Sequence, residues 1–138
     1  MHTTTRRGAD LDGLRVLVVE DEALIAMDLE YSLEDAGATV VDIAVANSEA
    51  LAAIDGHDLD AVLLDYNLAD GEAAPTAFAA LAAGVAVVFH SGHASREFLA
   101  RDFPNCPVLP KPTPSSQIVA TLAAACRPGA GGAVQAVG

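Results

Sequence analysis

Residues 14–22 form the stretch LRVLVVEDE. Its first six residues form a short run rich in aliphatic and β-branched side chains, which is typical of a strand buried on both faces of a sheet. Three acidic residues, Glu20, Asp21 and Glu22, follow the run without a break. The stretch therefore predicts a buried strand with carboxylates at its carboxyl end.

Apolar runs and helical stretches alternate along the rest of the chain. Ile25, Leu29, Leu33 and Ala36 form one stripe of a helix that starts near residue 22, and Gly37 is a natural helix stop. Further strands are predicted at residues 39–44, 61–64, 85–89 and 107–109, and further helices at 47–54, 72–83, 95–101 and from 114 onward, with Asn47, Ser48 and Thr113 as candidate N-caps. Five strands alternating with five helices predict an α/β fold, a doubly wound five-stranded parallel sheet with helices on both faces.

The length of the chain bounds its organisation. At 138 residues and 14.0 kDa it is the size of one ordinary domain, so we expect no attached catalytic or DNA-binding module. We predict a flexible N-terminal segment at residues 1–13, one folded domain at 14–127 and a disordered tail rich in Gly and Ala at 128–138.

Charge and hydropathy exclude several classes of function. Nineteen acidic residues against seven basic ones give a formal net charge of −12, so we expect no binding to nucleic acid or to anionic membranes. Residues 1–13 lack the apolar core of a signal peptide, and the uncharged stretch 73–89 is interrupted by Pro75 and Gly84. Cys106 and Cys126 match no disulfide framework or metal motif. These features predict a cytoplasmic protein in a reducing compartment.

Polar residues follow the predicted strands in a consistent way. Besides Glu20 and Asp21, the third strand ends at Asp65, the fourth at Ser91 and the fifth at Lys111. Strand ends of a parallel sheet lie at one edge, so several carboxylates would face one ammonium and one hydroxyl. Crowded carboxylates repel one another and favour a bound divalent cation that prefers oxygen ligands, such as Mg²⁺. A carboxylate beside Mg²⁺ and a lysine is placed to attack a phosphoryl group.

Four motifs carry a resemblance to a known family. VLVVEDE at residues 16–22, DAVLLDYNL at 60–68, VVFHSGHA at 87–94 and PVLPKP at 107–112 resemble, in order and spacing, the receiver domain of response regulators in two-component systems. The resemblance covers about residues 14–127. It implies the flavodoxin-like receiver fold and Mg²⁺ as the cofactor.

The resemblance also assigns roles to single residues. It implies that Asp65 is the phosphoacceptor. It also implies that Glu20 and Asp21 hold Mg²⁺, Asp21 directly and Glu20 through water, together with Asp65 and the backbone carbonyl of Asn67. It further implies that Ser91 and Lys111 contact the phosphoryl group and that the Lys111–Pro112 bond is cis.

A subgroup is suggested by FHSG at residues 89–92, by Pro75 and by the PVLPKP ending. These features resemble the stand-alone "FATGUY" receivers of alphaproteobacteria, which implies a sensor histidine kinase of the HWE type or a phosphotransfer protein as partner. Without an output domain, such a protein signals by contact with another protein or acts as a phosphate sink or relay, and is no turnover enzyme. The acidic first helix is either a solvated face or the surface on which the kinase docks.

Several alternatives remain open at this point. Val108 replaces the aromatic switch residue of many receivers, so we expect the signal to pass through the loop and helix after Ser91. A pseudo-receiver that binds a partner without phosphorylation has the same fold. An aspartyl phosphatase would need an acid two residues after Asp65, where this chain has Asn67. His90 and His93 are a metal pair or, as we favour, structural or gating residues, and we expect a monomer.

Overall fold

The computed structural model of the protein describes residues 10–126. Residues 1–9 and 127–138, which hold most of the predicted flexible segment and all of the predicted C-terminal tail, lie outside this range. The strands are β1 (Arg15–Val19), β2 (Thr39–Ala44), β3 (Ala61–Leu64), β4 (Asn67–Leu68), β5 (Gly71–Glu72), β6 (Ala86–Ser91) and β7 (Val108–Pro110). The helices are α1 (Ala23–Asp35), α2 (Asn47–Gly56), α3 (Ala74–Ala82), α4 (His93–Asp102) and α5 (Ser115–Ala125).

Five of the strands form one parallel sheet in the order β2-β1-β3-β6-β7. This sheet with its five helices confirms the predicted doubly wound α/β fold. The short strand β7 lies at an edge of the sheet, where Pro110, which has no backbone N–H to donate, is tolerated. The antiparallel hairpin of β4 and β5 directly after β3 was not predicted, because each of its strands has only two residues.

The core has two layers, one on each face of the sheet. Alternate side chains of β1 divide between them: Leu17 and Val19 pack with α2, α3 and α4, while Val16 and Val18 pack with α1 and α5. The contacts from α2 and α3 are mostly alanines, so these helices lie close to the sheet without large side chains. Within residues 10–126, no helix is both long and apolar enough to cross a membrane.

The folded unit starts earlier than residue 14. Leu11 is fully buried among the residues of the α1 and α5 layer, and its backbone N–H donates to the carbonyl of Ala36 at 2.9 Å. Residues 10–13, predicted to belong to a flexible segment, therefore form a turn that closes the core. A single leucine between polar residues carries no periodicity, so the sequence could not reveal this contact.

The N-caps predicted for two of the helices differ in the structure. Ala46 and Pro114 occupy the N-cap positions of α2 and α5, and neither supplies a side-chain hydrogen bond. The Thr113 hydroxyl donates to the carbonyl of Pro110 instead of capping α5. Asn47 is the first helical residue of α2, and its side chain contacts the β4–β5 hairpin. The Lys111–Pro112 peptide bond is cis, as the resemblance implied.

Candidate functional site

The predicted site residues meet at the carboxyl edge of the sheet. Glu20 follows β1, Asp65 follows β3, Ser91 ends β6 and Lys111 follows β7, and these four strands are neighbours. The backbone N–H of Asp65 donates to the carbonyl of Val19 at 2.9 Å, and the N–H of Lys111 donates to the carbonyl of Ser91 at 3.0 Å. The sheet ladder itself therefore brings these side chains together.

An ion pair joins Lys111 to two of the carboxylates. Lys111 Nζ lies 2.8 Å from Glu20 Oε1 and 3.1 Å from Asp65 Oδ2. Glu20 is 1% exposed and Asp65 is 6% exposed, so both carboxylates lie where water screens them poorly. The backbone N–H of Glu22 donates to the second oxygen of Glu20 at 3.1 Å and fixes the orientation of that carboxylate.

Burial and charge act in opposite directions on these groups. Burial raises the pKa of the Glu20 carboxyl above its ordinary value, although the hydrogen bond from Lys111 opposes the rise. Burial alone would lower the pKa of Lys111, but its hydrogen bonds to Glu20 and Asp65 raise it above the usual value. Lys111 therefore remains a cation at neutral pH. Its ammonium group pairs with two carboxylates and could also pair with a phosphoryl oxygen.

Three carboxylates are close enough to hold one metal ion. Glu20, Asp21 and Asp65 each offer an oxygen, and these oxygens lie within 4.8 Å of one another. Lys111 neutralises only one of the three negative charges, so the set retains a surplus that a hard divalent cation satisfies. The donor set thus fits Mg²⁺. Asn67 starts β4 two residues after Asp65, and the metal-binding role of its carbonyl stays a prediction.

Two buried polar side chains next to the ion pair have free hydrogen-bonding groups. Ser91 is fully buried, and within residues 10–126 nothing bonds its Oγ. In the same range neither ring nitrogen of His90 has a partner, and burial, followed by the charge of Lys111, lowers the pKa of His90. His93 is exposed at the start of α4. The burial of His90 favours its structural interpretation, and the role of Ser91 at the phosphoryl group stays a prediction.

Sequence reasoning missed two features beside the acceptor. Tyr66, the residue after Asp65, is 3% exposed, donates from its hydroxyl to Glu72 Oε1 at 3.2 Å, and packs edge-on against Phe98 of α4 with ring centroids 4.9 Å apart. Asp70, at the turn of the β4–β5 hairpin, bonds the start of α2. The role of Tyr66 could have been suspected from the sequence, because an aromatic residue directly follows the predicted acceptor. The contact of Asp70 could not, because it joins residues that are distant in the sequence.

Comparisons with known proteins agree with the fold. The family model described as the response regulator receiver domain matches residues 16–123. A curated relative, the transcriptional regulatory protein TcrA of Mycobacterium tuberculosis, is 45% identical over 58 residues, which are 42% of this chain and 22% of that protein. The chain thus matches about a fifth of the length of TcrA.

Solved structures of similar proteins share the fold. A response regulator receiver protein from Sinorhizobium medicae superposes with a TM-score of 0.76 at 25% identity, over 86% of this chain and 98% of that one. SdrG from Sphingomonas melonis gives 0.68 at 36% identity, over 79% and 95%. The response regulator PhyR from Brucella abortus gives 0.76 at 29% identity, over 97% of this chain and 57% of that one.

Proposed function

The chain belongs to the response regulator receiver family, and on this premise we propose that it accepts a phosphoryl group on Asp65 with the help of Mg²⁺. The donor is a phosphohistidine of a sensor histidine kinase, with the HWE type favoured by the FHSG motif, or of a phosphotransfer protein. The observation that carries the proposal is the ion pair of Lys111 with both Glu20 and Asp65, beside the exposed Asp21.

The chemistry is one displacement at phosphorus. An oxygen of Asp65 forms a bond to phosphorus while the bond between phosphorus and the imidazole nitrogen breaks, and that nitrogen keeps the electron pair. Lys111 then pairs with a phosphoryl oxygen, and the free hydroxyl of Ser91 donates to another. Glu20, Asp21, Asp65 and the Asn67 carbonyl would hold Mg²⁺, which would supply positive charge for the phosphoryl oxygens. Slow attack by water on phosphorus releases phosphate and restores the Asp65 carboxylate.

Competing functions differ from this one in specific groups. A phosphatase needs a proton donor for its leaving group two residues after the nucleophile, and the Asn67 amide is a poor acid. We therefore propose a signalling protein that undergoes slow autodephosphorylation and has no turnover on phosphate monoesters. A pseudo-receiver needs neither the metal site nor Lys111, so the intact ion pair favours the phosphoacceptor. The monomeric state, the cytoplasmic location and the absence of nucleic-acid binding stay predictions from the composition.

Incubation with acetyl phosphate and Mg²⁺, followed by intact-mass spectrometry, tests the proposal. We expect one added phosphoryl group per chain, and none when EDTA is added before the reaction. Beryllofluoride with Mg²⁺ should also raise the melting temperature of the protein, because a ligand that binds only the folded state stabilises it. No added mass together with no stabilisation by beryllofluoride would support the pseudo-receiver instead.

The exposed face of α1 is the surface we propose for the phosphodonor. Leu24, Met27 and Tyr31 are spaced as on one face of a helix, and they are 82%, 61% and 72% exposed. Leu24 lies in the first turn of α1, close to the edge of the sheet that carries Asp65. Three large apolar side chains exposed on one face indicate a surface that binds a partner helix, and argue against a face that is only solvated. A helical donor docked there would bring its phosphohistidine to the acceptor.

Leu24→Ala should separate docking from chemistry. With a sensor kinase that phosphorylates the wild-type protein, we expect kcat/KM for transfer to fall about tenfold, because truncating a central interface side chain costs about 1–2 kcal/mol. Labelling by acetyl phosphate should not change. Leu51→Ala on α2, where Leu51 is 38% exposed, is the matched control and should behave as the wild type. Equal losses in both variants would place the donor elsewhere.

The contact between Tyr66 and Phe98 offers a route for the signal. Val108 cannot act as an aromatic switch. Tyr66, however, directly follows the acceptor Asp65, and its ring contacts Phe98 of α4. We therefore expect beryllofluoride with Mg²⁺ to change amide hydrogen exchange in residues 93–102 at least about threefold, which corresponds to about 0.7 kcal/mol of local opening free energy. Phe98→Leu should reduce this change. Unaltered exchange in α4 on beryllofluoride binding would contradict the route.

A further inference from the structure

The turn of the β4–β5 hairpin caps a helix that is distant in sequence. Asp70 Oδ1 accepts the backbone N–H of Asn47 at 2.7 Å, and Oδ2 accepts that of Ser48 at 3.2 Å. Both N–H groups belong to the first turn of α2, where a helix has no internal acceptor for them. Ala46 at the N-cap position has no side chain that could accept them. Asp70 therefore supplies the cap that the local sequence of α2 lacks.

The side chain of Asn47 in turn bonds the hairpin and α3. Its Nδ2 donates to the backbone carbonyl of Glu72 at 2.9 Å and to Asp70 Oδ1 at 3.3 Å. Its Oδ1 accepts the hydroxyl of Thr76, which is fully buried on α3. Asn47 itself is only 8% exposed, so few water molecules compete for these bonds. We refer to these reciprocal bonds as the Asp70–Asn47 latch.

The latch holds the segment that carries the acceptor. The backbone N–H of Asp65 bonds β1 through Val19 at 2.9 Å, and that of Ala69 bonds the carbonyl of Val45 at 3.1 Å. Residues 65–72 are thus tied to β1 at one end and to α2 at the other. This segment contains both Asp65 and Asn67, two of the four groups assigned to Mg²⁺.

We propose that Asp70 and Asn47 are positioning residues for the metal site, which hold the β4–β5 hairpin so that Asp65 and the Asn67 carbonyl are preorganised for Mg²⁺. This inference rests on the proposed function. A hairpin of two-residue strands has little stability of its own, so without the latch it must be ordered when the ion binds. That ordering reduces affinity without the removal of any ligand, and the loss of such supporting contacts typically weakens metal binding about 10- to 100-fold.

Calorimetric titration of the full chain with MgCl₂ tests the inference. We expect Asp70→Ala to raise the Kd for Mg²⁺ about tenfold and to speed amide exchange in residues 66–73. Glu49→Ala is the matched control. Glu49 Oε1 accepts the N–H of Val45 at 2.9 Å at the same end of α2, but no hydrogen bond joins its side chain to the hairpin among the residues that the structure describes. Its removal frees one backbone N–H of Val45 but keeps every bond between α2 and the hairpin, so the Mg²⁺ affinity should stay unchanged.

Each outcome decides between the two proposals. An unchanged Kd in Asp70→Ala, or an equal loss in Glu49→Ala, overturns the latch and leaves the phosphoacceptor function standing. A wild-type protein that binds no Mg²⁺ overturns both. If Asp70→Ala fails to fold, Asp70→Asn keeps one acceptor oxygen and should show an intermediate affinity, and a wild-type affinity there would equally count against the latch. The double variant of Asp70→Ala with Asn47→Ala should bind no more weakly than the weaker single variant, because both substitutions release the same hairpin.

Discussion

Asp65→Asn is expected to abolish phosphoryl incorporation from acetyl phosphate. The substitution keeps the volume of the side chain but replaces the carboxylate, which is both the attacking nucleophile and one of the three acidic groups around the candidate metal site. A neutral amide attacks phosphorus far less readily, so we expect the rate to fall by at least about 10⁴-fold, which corresponds to about 5.5 kcal/mol of activation free energy. Intact-mass spectrometry after equal incubation times should show only the unmodified chain.

The matched control is Asp58→Asn. Asp58 is exposed in the loop before β3, at the opposite end of the sheet, and its backbone carbonyl accepts a hydrogen bond from Arg15. This variant should be phosphorylated at the wild-type rate. Continued phosphorylation of Asp65→Asn would identify another acceptor, and peptide mapping of the modified chain would then locate it.

The sheet and its polar edge were predictable because both have local causes. Each strand of the main sheet is a short aliphatic run, and the strand positions were confirmed to within a few residues. Glu20, Asp65, Ser91 and Lys111 each lie at the end of such a run. Parallel strands bring their carboxyl ends to one edge, so the alternation of strands and helices was enough to bring these four residues together.

The contacts that support the site depend on partners far away in the sequence. Asn47 was predicted as an N-cap because asparagine favours that position, but its side chain bonds Asp70, 23 residues away, and the N-cap position falls to Ala46. The Asn47 side chain bonds Asp70, Glu72 and Thr76 instead of its own helix start, and these partners meet it only in the folded chain. Leu11 shows the same limit, since its burial depends on α1 and α5, which only the folded chain brings to it.

Asp21→Asn is expected to change metal affinity and stability in opposite directions. Asp21 is exposed, and its carboxylate lies within 4.8 Å of those of Glu20 and Asp65. Lys111 pairs with those two and forms no ion pair with Asp21 among residues 10–126. In the absence of metal, Asp21 therefore adds repulsion, and its neutralisation should raise the free energy of unfolding by about 0.5 kcal/mol. Because Asp21 is also a direct ligand in our proposal, the Kd for Mg²⁺ should rise about 100-fold, or about 2.7 kcal/mol.

The opposite signs make this variant informative. A substitution that merely damaged the fold would lower both quantities, and one that only removed a surface charge would leave the Mg²⁺ affinity unchanged. Urea unfolding in EDTA and calorimetric titration with MgCl₂ measure the two effects separately.

Asp28→Asn, which removes an exposed carboxylate on α1 outside the acidic group, controls for net charge and should bind Mg²⁺ as the wild type does. Removal of the Asp21 carboxylate would thus stabilise the metal-free fold but weaken Mg²⁺ binding. This trade-off explains why a repulsive carboxylate is present at the site. A less stable Asp21→Asn protein with unchanged Mg²⁺ affinity would contradict this balance and remove Asp21 from the metal site.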